Sequence, residues 1–378
     1  MLAQLKRDFD RFAGGFPPDF PLYVREIYHI DLTARYLGVT IPHPIGKGSG
    51  QLSLKQEQLE ADAEAGLAFA VLKTVIAQNE AGTQSMAAWA IHETRMTVEH
   101  LVSSSGKPGW TVTWKGRGWD GSFEEYLDLV RVGRDLTRGG KLLVVPSVKY
   151  HLPLLEEPFR SDEYEYTTAQ LVRAWGTGPV LLEKDFSPTL AGDALSNEQE
   201  RILRWIREVP AQIRRAATGE VRLALKLMNT KFSDDFQIQM LAAAADGEAD
   251  AAVVFNRLFD SMRGVAYGGW DLSDRNLRVL EAARNAPRPK ALSGTGNIVT
   301  GKVLLDYAKR GCECVQLHTF FQLPLGEYPA TAGNRTSRAL HSLVFHPGHG
   351  LIAGMLGLEV DGMIHRTGGE LRFLDLCE

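Results

Sequence analysis

The chain has 378 residues, 44% of them hydrophobic and 23% charged, and a formal net charge of −4 at pH 7. Lys and Arg form no basic stripe of the kind that nucleic-acid-binding proteins carry, and no apolar run reaches the ~18 residues of a membrane span. We therefore expect a globular protein with no nucleic-acid partner and no integral membrane segment. The absence of a recognisable signal peptide favours the cytoplasm.

The first 30 residues read as an N-terminal arm. A short helix is predicted at Leu5–Phe12, and the Gly-Gly-Phe-Pro-Pro run that follows breaks regular structure. The arm is rich in aromatic residues. Either these rings pack against the rest of the protein, or they form an element for a membrane surface or for quinone access.

From Ile41 onward, short apolar runs alternate with longer amphipathic stretches. Strands without polar alternation are typical of a parallel sheet buried on both faces, and strand–helix alternation indicates repeated βα units. The predicted strands are a segment near His43–Lys47, Ala68–Thr74, Lys141–Val148, Val180–Asp185, Val221–Leu227, Ala251–Phe255, Lys290–Ser293 and Cys314–Leu317. The predicted helices are Leu54–Ala65, Phe123–Arg134, Thr168–Trp175, Gln199–Ala217, Asp234–Ala245, Asp274–Asn285 and Gly301–Arg310.

This pattern predicts an α/β fold, a (β/α)₈ TIM barrel. The barrel would occupy residues 31–325, after the arm of residues 1–30. Residues 326–378 would form a helical C-terminal extension of the same domain. Active sites of such barrels lie at the carboxyl-terminal ends of the strands.

Two long excursions, residues 77–122 and 149–166, leave from strand ends of this kind. The first contains Trp110, Trp114 and Trp119 among several glycines. It predicts either a lid or pocket wall or a surface hairpin anchored by its tryptophans.

Near the end of the barrel, the segment Ser293-Gly294-Thr295-Gly296-Asn297 lies between a strand and a helix. Glycines let backbone N–H groups approach an anion, and a helix N-terminus adds a favourable dipole. One βα unit later comes Val315-Gln316-Leu317-His318-Thr319. Loops after the last two strands form the recurrent phosphate site of these barrels.

Several segments resemble the dihydroorotate dehydrogenase family, in the same order along the chain. They are residues 291–301 with the glycine loop, Cys314–Thr319 with the final strand, Asp31–Gly38, Pro44–Gly50, Leu72-Lys73-Thr74, Leu225-Lys226-Leu227 and Val254-Phe255-Asn256. His318 stands where the family usually has glycine. The resemblance covers roughly residues 31–325 and implies an FMN-dependent barrel enzyme.

The resemblance and the loop pattern together assign a set of residues to FMN. By resemblance, Lys226 would face the N1/C2=O edge of the flavin ring, where reduced flavin carries negative charge. A structural ion pair of Lys226 with Glu183 or Asp185 is the alternative, and Lys73 follows the same logic. The cofactor residues are Gly48, Ser49, Gly50, Lys73, Thr74, Ser147, Lys226, Asn256, Gly294, Thr295, Gly296, Asn297, His318 and Thr319.

The catalytic candidates are Ser187, Asp185 and Lys73. Aligned on Pro188, Ser187 takes the position of the family's base. Aligned with one residue deleted, Asp185 takes the position of a family asparagine and is itself a plausible general base. Ser187 as a turn cap before Pro188 is the third interpretation.

The substrate side departs from the family, whose asparagines grip dihydroorotate. Asp185, Thr189 and Trp119 stand at matching positions, and Asn256 alone is retained. Lys47, Lys115 and Arg117 either supply positive charge for a carboxylate or are solvated loop charges.

Three cysteines, Cys312, Cys314 and Cys377, give no spacing for a metal site, so no metal is expected. Their odd number again favours a reducing cytoplasm.

The sequence therefore predicts an FMN-dependent oxidoreductase of pyrimidine metabolism. It would transfer a hydride between flavin N5 and a carbon next to a carbonyl, in dihydroorotate or a related cyclic amide or enoyl compound. Its partners would be that small molecule, an unidentified electron acceptor or donor and, as in many family members, a second copy of the chain. The alternatives are a non-redox barrel aldolase or synthase acting on a phosphorylated substrate, and a flavin-binding barrel without catalysis.

Overall fold

The computed structural model describes residues 1–87, 96–102, 106, 108–114, 118–186, 199–260, 265–267 and 270–378. The N-terminal part contains α1 (Leu2–Phe12), α2 (Phe20–Tyr28), β1 (Ile30–Asp31), β2 (Ala34–Tyr36) and β3 (Val39–Ile41). The central part begins with β4 (Ile45–Lys47), α3 (Gln56–Glu64), β5 (Phe69–Val71), β6 (Val75–Ile76), β7 (Met96–Val102), β8 (Pro108–Trp114), α4 (Phe123–Arg138), β9 (Leu143–Val145), β10 (Ser147–Lys149) and α5 (Ser161–Trp175).

The chain continues with β11 (Val180–Asp185), α6 (Gln199–Ala216), β12 (Val221–Met228), α7 (Asp234–Asp246), β13 (Ala251–Asn256), β14 (Leu258–Asp260), β15 (Val265–Tyr267), α8 (Trp270–Ala282), β16 (Ala291–Thr295), α9 (Gly301–Ala308) and β17 (Cys312–Leu317). The C-terminal part contains α10 (Arg335–Phe345), α11 (Leu351–Val360) and β18 (Leu371–Arg372).

Within the described residues, ten strand segments form one sheet in the order β6-β10-β11-β12-β13-β16-β17-β4-β5-β9. Every ladder in it is parallel. The predicted α/β class and parallel sheet are thus confirmed, with ten segments in place of eight continuous strands.

The predicted strand Ala68–Thr74 is shorter in the structure, as β5, and the separate segment β6 begins at Val75, after the predicted end. The predicted strand Lys141–Val148 is divided into β9 and β10. Pro146 separates the latter pair, because proline has no N–H to donate to a ladder. Helix α5 begins at Ser161 rather than at the predicted Thr168, so the second excursion is shorter than expected.

The arm packs on the C-terminal helices. Phe9 stacks on His341 with ring centroids 4.5 Å apart, and Phe12 meets Phe345 edge to face at 5.0 Å. Helix α1 contains the predicted Leu5–Phe12 segment. The aromatic rings of the arm therefore contribute to the core, which is the packing interpretation. Among the described residues no helix is long and apolar enough to cross a bilayer.

Candidate functional site

The candidate site lies at the carboxyl-terminal edge of the sheet, where β4, β6, β10, β11, β12, β13, β16 and β17 end. Its centre is a buried polar cluster on one face of the sheet, called the inner face here. Glu183 is 0% exposed, and its Oε1 lies 3.4 Å from Nζ of Lys226. Gln316 donates from Nε2 to Glu183 Oε2 at 2.7 Å, and the Tyr36 hydroxyl donates to the same oxygen at 3.1 Å.

This cluster realises the ion pair that the sequence offered as one interpretation of Lys226. Lys226 Nζ also donates to Gln316 Oε1 at 3.4 Å. A buried ammonium and a buried carboxylate are each expensive when alone, and pairing offsets that penalty. Burial, followed by the charge of Glu183, raises the pKa of Tyr36 well above its ordinary value, so Tyr36 stays a hydrogen-bond donor.

A chain of three hydroxyls crosses the edge beside this cluster. Ser49 Oγ lies 2.9 Å from Thr74 Oγ1, which lies 3.0 Å from Ser147 Oγ. Tyr126 fixes the backbone of Ser147 by donating to its carbonyl and accepting from its N–H, both at 3.0 Å. Three residues predicted at the cofactor from separate parts of the sequence are thus brought together.

Asp185 lies at the end of β11, on the inner face two residues after Glu183. Its Oδ2 is 3.7 Å from Nζ of Lys149, and its Oδ1 is buried without a hydrogen-bond partner among the described residues. Lys184, on the opposite face, donates to the Asp185 carbonyl at 2.9 Å. Burial, then the charge of Lys149, lowers the pKa of Lys184 to about 7.

The glycines of the predicted phosphate loop are required by packing as well as by any ligand. A β-carbon on Gly294 would lie 2.6 Å from Cδ1 of Tyr307, and one on Gly296 would lie 2.5 Å from Nδ2 of Asn276. Tyr307 donates to the Thr295 carbonyl at 2.9 Å, and Thr295 Oγ1 donates to the Gln316 carbonyl at 3.0 Å. These contacts fix the position of the loop against the side chains of Tyr307 and Asn276 and the backbone of Gln316.

An amide network fixes the neighbouring strand ends. Asn276 donates to the carbonyls of Phe255 and Thr295, both at 2.9 Å. Asn229 donates to the carbonyl of the half-buried Asn256 at 2.7 Å. Asn297 follows Gly296 with a φ of 50° and is 8% exposed. These bonds define the backbone conformation from which residues 296–299 can present N–H groups to an anion.

The first turn of α9 is partly occupied by protein groups. Thr300 accepts from the Val303 N–H at 3.2 Å, and the Lys302 N–H donates to the His349 carbonyl at 3.1 Å. A β-carbon on Gly301 would lie 2.1 Å from the Leu351 nitrogen, so α11 packs directly on this helix end. The N–H groups of Lys302 and Val303 in this first turn are therefore already bonded within the protein.

His318 follows β17 and lies against Gly50, where a β-carbon on the glycine would be 2.0 Å from His318 Cε1. Burial, followed by the charges of Arg257, Lys73, Lys226 and Lys47, lowers the pKa of His318 well below its usual value. The ring is therefore neutral at pH 7, and its surroundings are strongly cationic. Lys73 itself is 2% exposed, and the half-buried Thr319 begins the 3₁₀ turn Thr319–Gln322.

The long first excursion forms an antiparallel hairpin of β7 and β8. Strand β8 packs against β15, which follows β13, and against the turn Thr319–Gln322, which follows β17. Arg257 joins the two sides by donating from Nη1 to the Val112 carbonyl at 3.2 Å. The hairpin thus covers part of the carboxyl-terminal edge and serves as a wall of the site.

Trp119 is an anchor of this excursion. Its backbone N–H donates to the Thr74 carbonyl at 2.7 Å, and its ring meets Tyr126 edge to face at 5.4 Å.

Lys47, considered as a substrate cation or a solvated charge, is neither: its Nζ is bonded to Asp62 and Thr336 in a buried cluster. Ser187, Thr189, Lys115 and Arg117 lie outside the described residues.

Two features of the site escaped prediction from the sequence. The predicted third strand ended at Val148, one residue before Lys149, although Ser147 and Lys149 share a face by strand alternation. Asn229 and Asn276 carry no local signal, because their partners come from other βα units. Among the described residues no cluster of three His, Cys, Asp or Glu side chains could hold a metal ion.

No protein-family model matches the chain, and no curated protein matches it.

Proposed function

We propose that the protein is an FMN-dependent oxidoreductase resembling the dihydroorotate dehydrogenases, and that its sheet closes as an eight-stranded barrel. Support for closure comes from the strand order, whose two ends are the pairs β6-β10 and β5-β9. Segments β5 and β6 belong to one extended stretch, and β9 and β10 to another. The two ends of the order are therefore consecutive pieces of the same two strands, as in a (β/α)₈ barrel.

The observation that carries the proposed cofactor is the relation of Lys226 to Gly48. A β-carbon on Gly48 would lie 3.6 Å from Nζ of Lys226 and 3.4 Å from Oε1 of Gln316. The backbone of Gly48 therefore lies next to this buried ammonium group, and no side chain at position 48 stands between them. A planar ligand with developing negative charge fits such a cation, because the charge is stabilised where water is excluded.

The remaining donors suit the other parts of a mononucleotide. The hydroxyls of Ser49, Thr74 and Ser147 line one side of the edge, and the charge of Lys73 acts on His318. The loop of residues 296–299 lies on the other side, next to the end of β17, and would hold the phosphate. We assign the ring to the Lys226 side and the phosphate to the loop.

When bound, FMN would supply a hydride acceptor, and the protein residues would orient the substrate and move a proton. Lys226, held by Glu183 and Gln316, would stabilise negative charge on the ring. Proton transfer falls to Ser187 or Asp185, the two candidates from the sequence. The β7–β8 hairpin would exclude water from part of the edge.

The first experiment is a visible absorption spectrum of the purified protein, followed by anaerobic photoreduction. The proposal predicts flavin bands that bleach on reduction. In Lys226→Met we expect FMN affinity to fall by about tenfold or more, as for loss of a charge-assisted contact. The control is Lys290→Met, which changes an exposed lysine and should leave the affinity unchanged. A colourless protein that takes up no added FMN would contradict the proposal.

A non-redox aldolase or synthase is the second candidate, and Lys184 is the observation that favours it. A lysine with a pKa of about 7 has the neutral amine that imine formation needs. However, Lys184 is 0% exposed and lies on the face opposite Glu183 and Asp185. A carbonyl substrate would have to reach it from that other face and displace Phe186, whose ring centroid lies 4.5 Å from Nζ. Borohydride treatment with pyruvate should leave a mass adduct on Lys184 if this candidate is correct.

A further inference from the structure

The ion pair of Lys149 and Asp185 has a geometry suited to a ligand. Lys149 is 2% exposed, and its Nζ lies 3.7 Å from Asp185 Oδ2, which is longer than a hydrogen bond. The other oxygen, Oδ1, is buried and makes no hydrogen bond to the described residues. A buried carboxylate oxygen normally has a hydrogen-bond partner. Oδ1 of Asp185 can therefore accept a hydrogen bond from a ligand.

Strand register places this pair beside the proposed flavin site. Ser147 is opposite Glu183 on the neighbouring strand, and Asp185 is opposite Lys226. Ser147 belongs to the hydroxyl chain, and Lys226 to the central cluster. The pair thus lies between the groups assigned to the flavin, at the end of the inner face where a substrate would meet the ring.

Two ion pairs place a carboxylate beside each of two lysines on this part of the edge. Lys226 is paired with Glu183, and Lys149 with Asp185. A carboxylate ligand would add a negative charge next to Asp185, and like charges at short range repel. A neutral group with one acceptor and one donor side by side fits better, since an ammonium donates and a carboxylate accepts.

We propose that Lys149 and Asp185 recognise the –CO–NH– edge of a neutral cyclic amide or imide. Lys149 Nζ donates to the carbonyl oxygen, and Asp185 Oδ1 accepts from the adjacent N–H. This inference rests on the proposed function and names its substrate class. It assigns Asp185 to recognition rather than to proton transfer, and it distinguishes the protein from an enzyme that grips a carboxylate.

Calorimetric titration of the purified protein with uracil, a neutral imide, and with orotate, its carboxylated relative, tests the assignment. We expect uracil to bind at least about tenfold more tightly than orotate. In Lys149→Met uracil affinity should fall by a similar factor, whereas Lys149→Gln, which keeps a donor without the charge, should retain most of it. Lys290→Met is the control. Tighter binding of orotate, or unchanged uracil affinity in folded Lys149→Met, would overturn the inference.

Two further measurements separate this inference from the proposed function. The absorption spectrum reports flavin independently, so uracil binding that depends on Lys149 in a flavin-free protein would support recognition while rejecting the oxidoreductase. In flavin-containing protein, Asp185→Leu should raise KM for a 5,6-dihydropyrimidine while the pH profile of kcat is kept. A lost limb of that profile, with KM unchanged, would assign Asp185 to proton transfer instead and overturn the inference.

Discussion

The imidazole ring of His318 packs on the α-carbon of Gly50, so closely that a β-carbon on the glycine would lie 2.0 Å from Cε1 and 2.6 Å from both ring nitrogens. This contact joins the loop after β4 to the segment after β17, the two parts of the edge proposed to enclose the flavin. Any larger residue at position 50 would therefore require the histidine ring to move.

Gly50→Ala should destabilise the protein by about 1–3 kcal/mol, because overpacking forces neighbouring groups to move. Adding His318→Ala should recover most of that loss, since the added methyl group then has room. Denaturant unfolding of the wild type, both single variants and the double variant measures the coupling. Additive effects of the two substitutions would show that the ring does not define the space at Gly50.

The ion pair of Glu183 and Lys226 should be strongly coupled. Lys226→Met leaves a buried carboxylate without its cation, and such a change typically costs about 3–5 kcal/mol. Glu183→Leu combined with Lys226→Met should restore much of the stability, because both charges are then gone. The exposed pair Glu281 and Arg284 is the matched control, for which a double-mutant cycle should give at most ~1 kcal/mol. Equal coupling energies in the two cycles would contradict the expectation that burial makes the Glu183–Lys226 pair strongly coupled.

Lys184 should make stability depend on pH. Its pKa is lowered to about 7 in the folded protein and is about 10.4 in an unfolded chain. The folded state therefore binds fewer protons between these values, and the free energy of unfolding rises as pH increases from 7 to 10.5. Below pH 7 Lys184 is charged in both states, so the full penalty of burying its charge lowers the free energy of unfolding.

Lys184→Met should consequently stabilise the protein at pH 6, by about 2 kcal/mol after allowance for the lost hydrogen bond to the Asp185 carbonyl. Between pH 6 and pH 10.5 this difference should fall by about 4 kcal/mol, so that wild type is the more stable protein at the higher pH. Chemical denaturation at both pH values measures it, and Lys290→Met should show no comparable trend. A constant difference across pH would mean that Lys184 keeps its proton throughout.

Gly294→Ala should destabilise the glycine loop, since the new methyl group would lie 2.6 Å from the Tyr307 ring. We expect a loss of about 1–3 kcal/mol in unfolding free energy and weaker FMN binding. Gly326→Ala is the control, because a β-carbon there meets nothing within 4 Å. If the two variants unfold alike, the packing of Tyr307 does not require glycine at position 294.

The elements of the fold follow from local patterns. Apolar runs without alternation indicated the buried parallel strands, and β11 has the predicted bounds Val180–Asp185. Interruptions were harder to predict: a single proline, Pro146, separates the apolar segment Leu143–Val145 from Ser147–Lys149 within one predicted strand. Hydrophobic periodicity reports which residues are buried, but it does not report where a ladder loses a hydrogen bond.

For the site, the sequence by itself determined which residue types stand at the strand ends, including Lys226, Asp185 and the hydroxyls of Ser49, Thr74 and Ser147. Only the tertiary structure decided their partners. Lys226 pairs with Glu183 and Asp185 with Lys149, while Lys47 points away to Asp62. The physical reason is that alternation along a strand sets the face of a side chain, whereas its partner depends on the register between strands that are distant in sequence.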